Sequence, residues 1–164
     1  MPIRHELIGR TPDRMKDLPT WLLSRAFARS SALLAEGFRT DGDGLRGYHY
    51  RLLAALDQWG PASQADLGRD TGIDRSDVTA VLGELEARRL VERTTDPAHR
   101  RRNIVTITSA GMQALNELDA VVGEVQETVL APLSPAQRRQ LVGLLRRLGG
   151  PRPGSADDQA ENTT

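Results

Sequence analysis

The chain has 164 residues, no cysteine, as many cationic as acidic side chains (22 each) and only 4 % aromatic residues. That length suits one compact domain with an appended region and a core that needs no staples. The missing cysteines exclude a disulfide framework, a zinc knuckle and a thiol redox sensor, while neutrality and few aromatics argue against a nonspecific nucleic-acid coat or a base-stacking single-strand binder.

Residues 1–17 show no clean period and read as an N-terminal arm without the apolar core of a secretory signal. No stretch approaches the roughly 20 apolar residues of a membrane span, so a cytoplasmic protein without membrane contact is expected. Pro19 opens a long helix that runs from Trp21 to about Phe38, with Trp21, Leu22, Ala26, Leu33 and Phe38 as its apolar positions. Thr40 to Gly44 is a loop by its glycine and aspartate content. A second helix, about Arg46 to Gln58, carries Tyr48, Leu52, Ala55, Leu56 and Trp59 on its expected buried face and stops at Gly60-Pro61. Ser63, with Asp66 three residues on, caps a short helix with Ala65 and Leu67 inward, and Gly72 closes it. Asp74 then caps a longer helix to about Arg89, striped by Val78, Val81, Leu82 and Leu85.

The period changes next. Leu90–Thr94 and Asn103–Thr108 are short, β-branched and alternating, and Thr95–Arg102 between them is a basic turn: a hairpin with a charged tip. Thr108 or Ser109 caps a long helix striped by Leu115, Leu118, Val122, Val125 and Val129, ending before Pro132. Ser134-Pro-Ala-Gln137 starts a last helix striped by Leu141, Leu144, Leu145 and Leu148. Gly149-Gly150 ends it, and residues 150–164 have the polar composition of a disordered tail.

The fold class that results is mainly α with a small β-hairpin wing: a winged helix-turn-helix over 60–108, flanked by a helical dimerisation region from 18–59 and 109–149. In such a motif the second helix places its N-terminal residues in the major groove of duplex DNA. With Val78, Val81, Leu82 and Leu85 inward, Arg75, Ser76, Asp77 and Thr79 must face out, and all can hydrogen-bond. Arg88, Arg89, Arg93, Arg100, Arg101 and Arg102 against Glu92 and Asp96 make the one strong positive run in a neutral chain. Arginine is the side chain best suited to phosphates and a narrow minor groove. The expected DNA contacts are therefore Ser63, Gln64, Arg75, Ser76, Asp77, Thr79, Arg93, Arg100, Arg101 and Arg102.

Gln64-Ala-Asp-Leu67, Thr71-Gly-Ile73, Val78-Thr-Ala-Val-Leu82, Leu85-Glu-Ala-Arg-Arg-Leu-Val-Glu-Arg93, Asp96-Pro-Ala-His-Arg-Arg101 and Val105-Thr-Ile-Thr-Ser-Ala-Gly111 together resemble the MarR family of bacterial regulators, over roughly residues 20 to 149. The resemblance implies a homodimer paired through helices from both chain ends. It also implies repression by occupancy of a palindromic operator, with release by a small, often anionic aromatic effector. Trp21, Arg25, Tyr48, His49 and Arg51 lie on the helices that bound the effector pocket in that family. Three positions depart from its pattern. His99 stands where an acid usually braces the wing arginine that Arg101 matches, with Asp96 as a substitute brace, and Asp74 and Asp77 stand where hydroxyl residues are commoner.

Other chemistry is not indicated. His5, His49 and His99 are scattered, so no metal is expected, and no nucleophile–base motif or phosphate-binding glycine loop suggests an enzyme or a cofactor. The alternative reading is a winged-helix protein-interaction module that does not bind DNA; such modules often lose the basic wing, which this chain keeps.

Overall fold

A computed structural model describes residues 11–99 and 103–150. The expected tail beyond 150, most of the expected arm, and Arg100, Arg101 and Arg102 lie outside the described residues. The chain divides into two compact units, residues 1–126 and 127–164. Helices α1 (Pro19–Asp41), α2 (Gly47–Trp59), α3 (Gln64–Thr71) and α4 (Arg75–Ala87) belong to the first, with strands β1 (Ala62–Ser63), β2 (Val91–Thr95) and β3 (Asn103–Ile107). Helix α5 (Ser109–Leu130) begins in the first unit, and α6 (Pro135–Gly149) lies in the second.

Capping chemistry sets the helix starts. Ser63 Oγ accepts from the Asp66 amide at 3.2 Å, and Gly72 takes a left-handed conformation (φ 68°) that turns α3 sharply toward α4. Ser134 and Gln137 exchange side-chain-to-amide bonds at the start of α6. Thr108 Oγ1 accepts from the Gly111 amide at 3.0 Å and donates to the Arg89 carbonyl at 2.8 Å, so one hydroxyl caps α5 and ties it to the end of α4.

The core of the first unit gathers Leu52, Leu53 and Leu56 of α2, Leu67 of α3, Val78, Leu82 and Leu85 of α4, Val91 and Val105 of the sheet, and Leu118 of α5, all essentially sealed from solvent. Fully burying a leucine contributes about 1.5–3 kcal/mol, so this one cluster holds the short helices in place. The α4 stripe is as expected. The α2 stripe is rotated: His49 and Leu53 are buried, whereas Tyr48 and Trp59 are 44 % and 58 % exposed. The reason is that Leu52, Leu53 and Leu56 centre the buried face, and position 49 falls on that centre line while 48 and 59 fall off it. Ala65 is likewise exposed, because α3 is too short to bury more than the single side of Leu67. In α1 only Phe38 is buried, and the helix runs to Asp41, so the loop starts at Gly42. In α5 Val121 is buried while Val122 is only half-buried.

A strand not expected from the sequence, β1, pairs with β3 (Ala62↔Val105, Ser63↔Ile104) and makes a three-stranded antiparallel sheet in the order β1-β3-β2. Two residues after Pro61, the second of them the cap of α3, carry no alternation to read; only the neighbouring hairpin makes them a strand.

Helix α4 ends in a Schellman motif: Leu90 N–H bonds to the Leu85 carbonyl and Arg89 N–H to the Glu86 carbonyl, each at 2.9 Å. Arg89 is the left-handed residue (φ 58°), a position glycine fills without steric cost. Arg89→Gly is therefore expected to stabilise the fold by about 1 kcal/mol, measured as a rise in the urea midpoint with unchanged slope.

Candidate nucleic-acid interface and effector cavity

Helices α3 and α4, joined through Gly72, form the helix-turn-helix, and β2–β3 the wing stem. Burial of Val78 and Leu82 turns Arg75, Ser76, Asp77 and Thr79 outward, and all four are exposed. Thr79 Oγ1 donates to the Arg75 carbonyl at 2.8 Å and accepts from Gln64 Nε2, so Gln64 and Thr79 form one polar surface across the two helices. Among the described residues no ion pair engages Arg75 or Asp77.

Two of the expected DNA contacts are placed otherwise. Ser63 is 4 % exposed, with its hydroxyl committed to Asp66 (2.6 Å to Oδ2, besides the amide bond) and its backbone paired in β1; it caps α3 and has no side chain to offer DNA. Arg93 is only partly exposed and its Nε lies 3.3 Å from Glu86 Oε2. Arg88 is also tied down, donating to the Asp43 carbonyl at 2.7 Å and to its carboxylate at 2.5 Å. Part of the positive run is therefore neutralised internally. What sequence cannot show is that its partners, Asp43 and Glu86, come from outside the run. At the base of the wing tip Asp96 Oδ1 accepts from the Ala98 amide at 2.8 Å and so fixes a turn.

A cavity of about 520 Å³ opens between α1, α2, the end of α3 and α5, with Phe38, Tyr50, Arg51, Trp59, Thr71 and Val122 among its walls. Of the five residues assigned to an effector site, Arg51 alone lines it. Its guanidinium donates to the Thr71 carbonyl at 3.4 Å and lies 5.7 Å from the Tyr48 ring centre. Tyr48 itself is outside the cavity, Arg25 is bonded to Thr11 Oγ1 at 2.7 Å, Trp21 is half-buried away from it, and His49 is enclosed in the protein. Tyr50 and Trp59 were missed as lining residues. Tyr50 donates to Asp119 at 2.8 Å, and burial holds its hydroxyl above the ordinary tyrosine range, so it stays a neutral donor. The signal for both was the leucine triplet of α2, whose opposite flanks they occupy.

Among the described residues no group of three or more His, Cys, Asp or Glu side chains could hold a metal, and no helix is long and apolar enough to cross a membrane.

Comparison with known proteins agrees with this geometry. The sequence profile of the MarR family matches residues 43–102, which hold the helix-turn-helix. A structure named a probable transcriptional regulator from Pseudomonas aeruginosa is 36 % identical, covering 80 % of this chain and 97 % of its own, with a TM-score of 0.71. The chain belongs to the MarR family. BpsR of Bordetella bronchiseptica, whose DNA binding is regulated by 6-hydroxynicotinic acid, is 31 % identical to this MarR-family chain over 79 % of it and 96 % of BpsR, with a TM-score of 0.69. The HTH-type transcriptional repressor NicR of Pseudomonas putida is 28 % identical over 141 residues, 86 % of this chain and 88 % of NicR. The MarR-family assignment accounts for the winged helix-turn-helix and for the mainly helical fold with its small sheet.

Proposed function

We propose that the protein is a homodimeric transcriptional repressor that occupies a palindromic DNA operator and leaves it when a small aromatic acid enters the α1–α2–α5 cavity. The observation that carries the DNA part is the outward N-terminal third of α4, where Arg75 and Asp77 make no ion pair among the described residues, held by fully buried Val78 and Leu82 beneath it. Arg75, Ser76, Asp77, Thr79 and Gln64 read bases or position the helix, while Arg100, Arg101 and Arg102 of the wing take phosphates or the minor groove, an assignment that rests on their sequence. Residues 60–108 are the DNA-binding part, and the flanking helices pair the two copies. The reading is of a regulator and not of an enzyme.

The test is selection of duplexes from a randomised pool, followed by titration. Arg75→Ala is expected to weaken the selected duplex by about 1–3 kcal/mol and relax one base position. Arg101→Ala is expected to weaken all duplexes alike and flatten the plot of log affinity against log salt by about one unit per half-site. A wild-type protein that selects no sequence would overturn the reading.

For the effector, Arg51 supplies the cation and Trp59 and Tyr50 the rings, a chemistry that suits an aromatic carboxylate and fits the ligand of BpsR. 6-Hydroxynicotinic acid, used as the probe, is expected to quench Trp59 emission and release the duplex. Arg51→Ala should weaken both effects roughly tenfold, the scale of one charge-assisted hydrogen bond.

A further inference from the structure

His49 is a buried titratable side chain that neither DNA contact nor the cavity uses. It is 1 % exposed, and both ring nitrogens are engaged. Nδ1 lies 3.0 Å from the backbone nitrogen of Arg46, the residue just before α2. An amide N–H can only donate, so Nδ1 is unprotonated and closes the first turn of α2, where a glutamine or glutamate usually serves. Nε2 therefore carries the proton, and it donates to Glu84 Oε2 at 2.9 Å. Glu84 sits in the last turn of α4, and it also receives Arg46 Nη2 at 3.1 Å and 3.2 Å. The start of the scaffold helix and the end of the proposed recognition helix are thus joined by directed bonds.

We propose that His49 is a positioning residue: as a neutral double hydrogen-bond latch it sets the rotation of α4 about its own axis, and acid opens it. The inference rests on the DNA-binding reading of α4. The hydrophobic drive is non-directional, so burial of Val78, Val81, Leu82 and Leu85 seats α4 on the core and leaves small rotations about that seat to be restrained by directed bonds. A hydrogen bond weakens steeply once bent, so the bond to Glu84 does define it. Rotating α4 would swing Arg75 and Thr79 together, because all lie on one rigid helix.

A second proton has nowhere to go in the closed latch. It would sit on Nδ1 and face the Arg46 N–H. The charged groups around the ring are Glu84 from α4, Arg88 just after α4 and Arg46 just before α2, with Arg88 held by Asp43 of the loop between α1 and α2. Burial, aided by the two arginines, keeps His49 below the ordinary histidine range despite the pull of Glu84. In the open latch the ring regains a value of about 6.5. Protons then favour opening below that value and have little effect above it, so the opening equilibrium should rise as the pH falls from 7.5 to 5.5, by at most about tenfold.

The test compares the full-length dimer with His49→Gln, which keeps one acceptor and one donor but cannot titrate, and His49→Leu, which keeps the volume and loses both bonds. Amide hydrogen exchange of α4 is expected to show more opening at pH 5.5 than at 7.5 in the wild type, by up to about tenfold, and no change in His49→Gln. The other two histidines are the same in both proteins, so the difference belongs to His49. On the duplex selected by the wild type at pH 7.5, His49→Gln should bind within about threefold, and folded, dimeric His49→Leu roughly tenfold more weakly. Equal pH dependence of α4 exchange in wild type and His49→Gln overturns the proposal, as does full-strength binding by His49→Leu. If His49→Leu does not fold, the His49→Gln exchange profile decides. If the wild type selects no duplex, the DNA-binding reading fails and exchange alone decides the latch.

Discussion

Leu148→Glu is expected to produce a folded monomer that binds the operator at least a hundredfold more weakly than the wild-type dimer. Helix α6 buries none of its residues, and Val142, Leu144, Leu145 and Leu148 are 42 %, 45 %, 44 % and 70 % exposed. A similar bare face runs along the start of α1, where Leu22 and Phe27 are 51 % and 73 % exposed. Exposed apolar faces of this kind mark an interface, and in the proposed homodimer a second copy covers them. A glutamate buried there without a partner costs several kcal/mol. Losing the dimer removes the second half-site, and linked sites gain about 10²–10⁴ in avidity over single ones. Sedimentation at micromolar concentration, with duplex titration on the same samples, checks both effects. A Leu148→Glu protein that stays dimeric would remove α6 from the interface.

Gly111→Ala is expected to lower stability by about 3 kcal/mol and the melting temperature by roughly 10 °C. A Cβ at Gly111 would stand 2.1 Å from the Leu90 carbonyl oxygen and 2.8 Å from Ile107 Cγ1. The carbonyl cannot retreat freely, because it accepts the Thr108 amide at 3.0 Å and so helps tie the end of β3 to the start of β2. Alanine ordinarily favours a helix over glycine by about 1 kcal/mol, so local propensity alone predicts the opposite sign. Calorimetry of the dimer decides: a stabilised Gly111→Ala protein would mean that α5 lifts off the sheet at little cost. Because the clash lies where the wing stem meets α5, the loss should appear in stability before it appears in base preference.

What the sequence determined by itself is what short-range chemistry controls. Ser63 and Ser134 announced their helices because a hydroxyl capping an amide three residues on is a local event, and Gly72 and the α4 stripe followed from the left-handed turn and the helical period. The outward set Arg75, Ser76, Asp77 and Thr79 followed from the same period. Only the tertiary structure decided which polar residues stay free for a ligand. Ser63 and Arg93 looked available until β1 pairing and Glu86 claimed them. His49 looked like a cavity residue until α2 turned on its leucines and brought the ring to Glu84, 35 positions away. Such pairings depend on how two helices seat against each other, and packing of apolar side chains, which leaves little trace in the spacing of the polar ones, sets that seating.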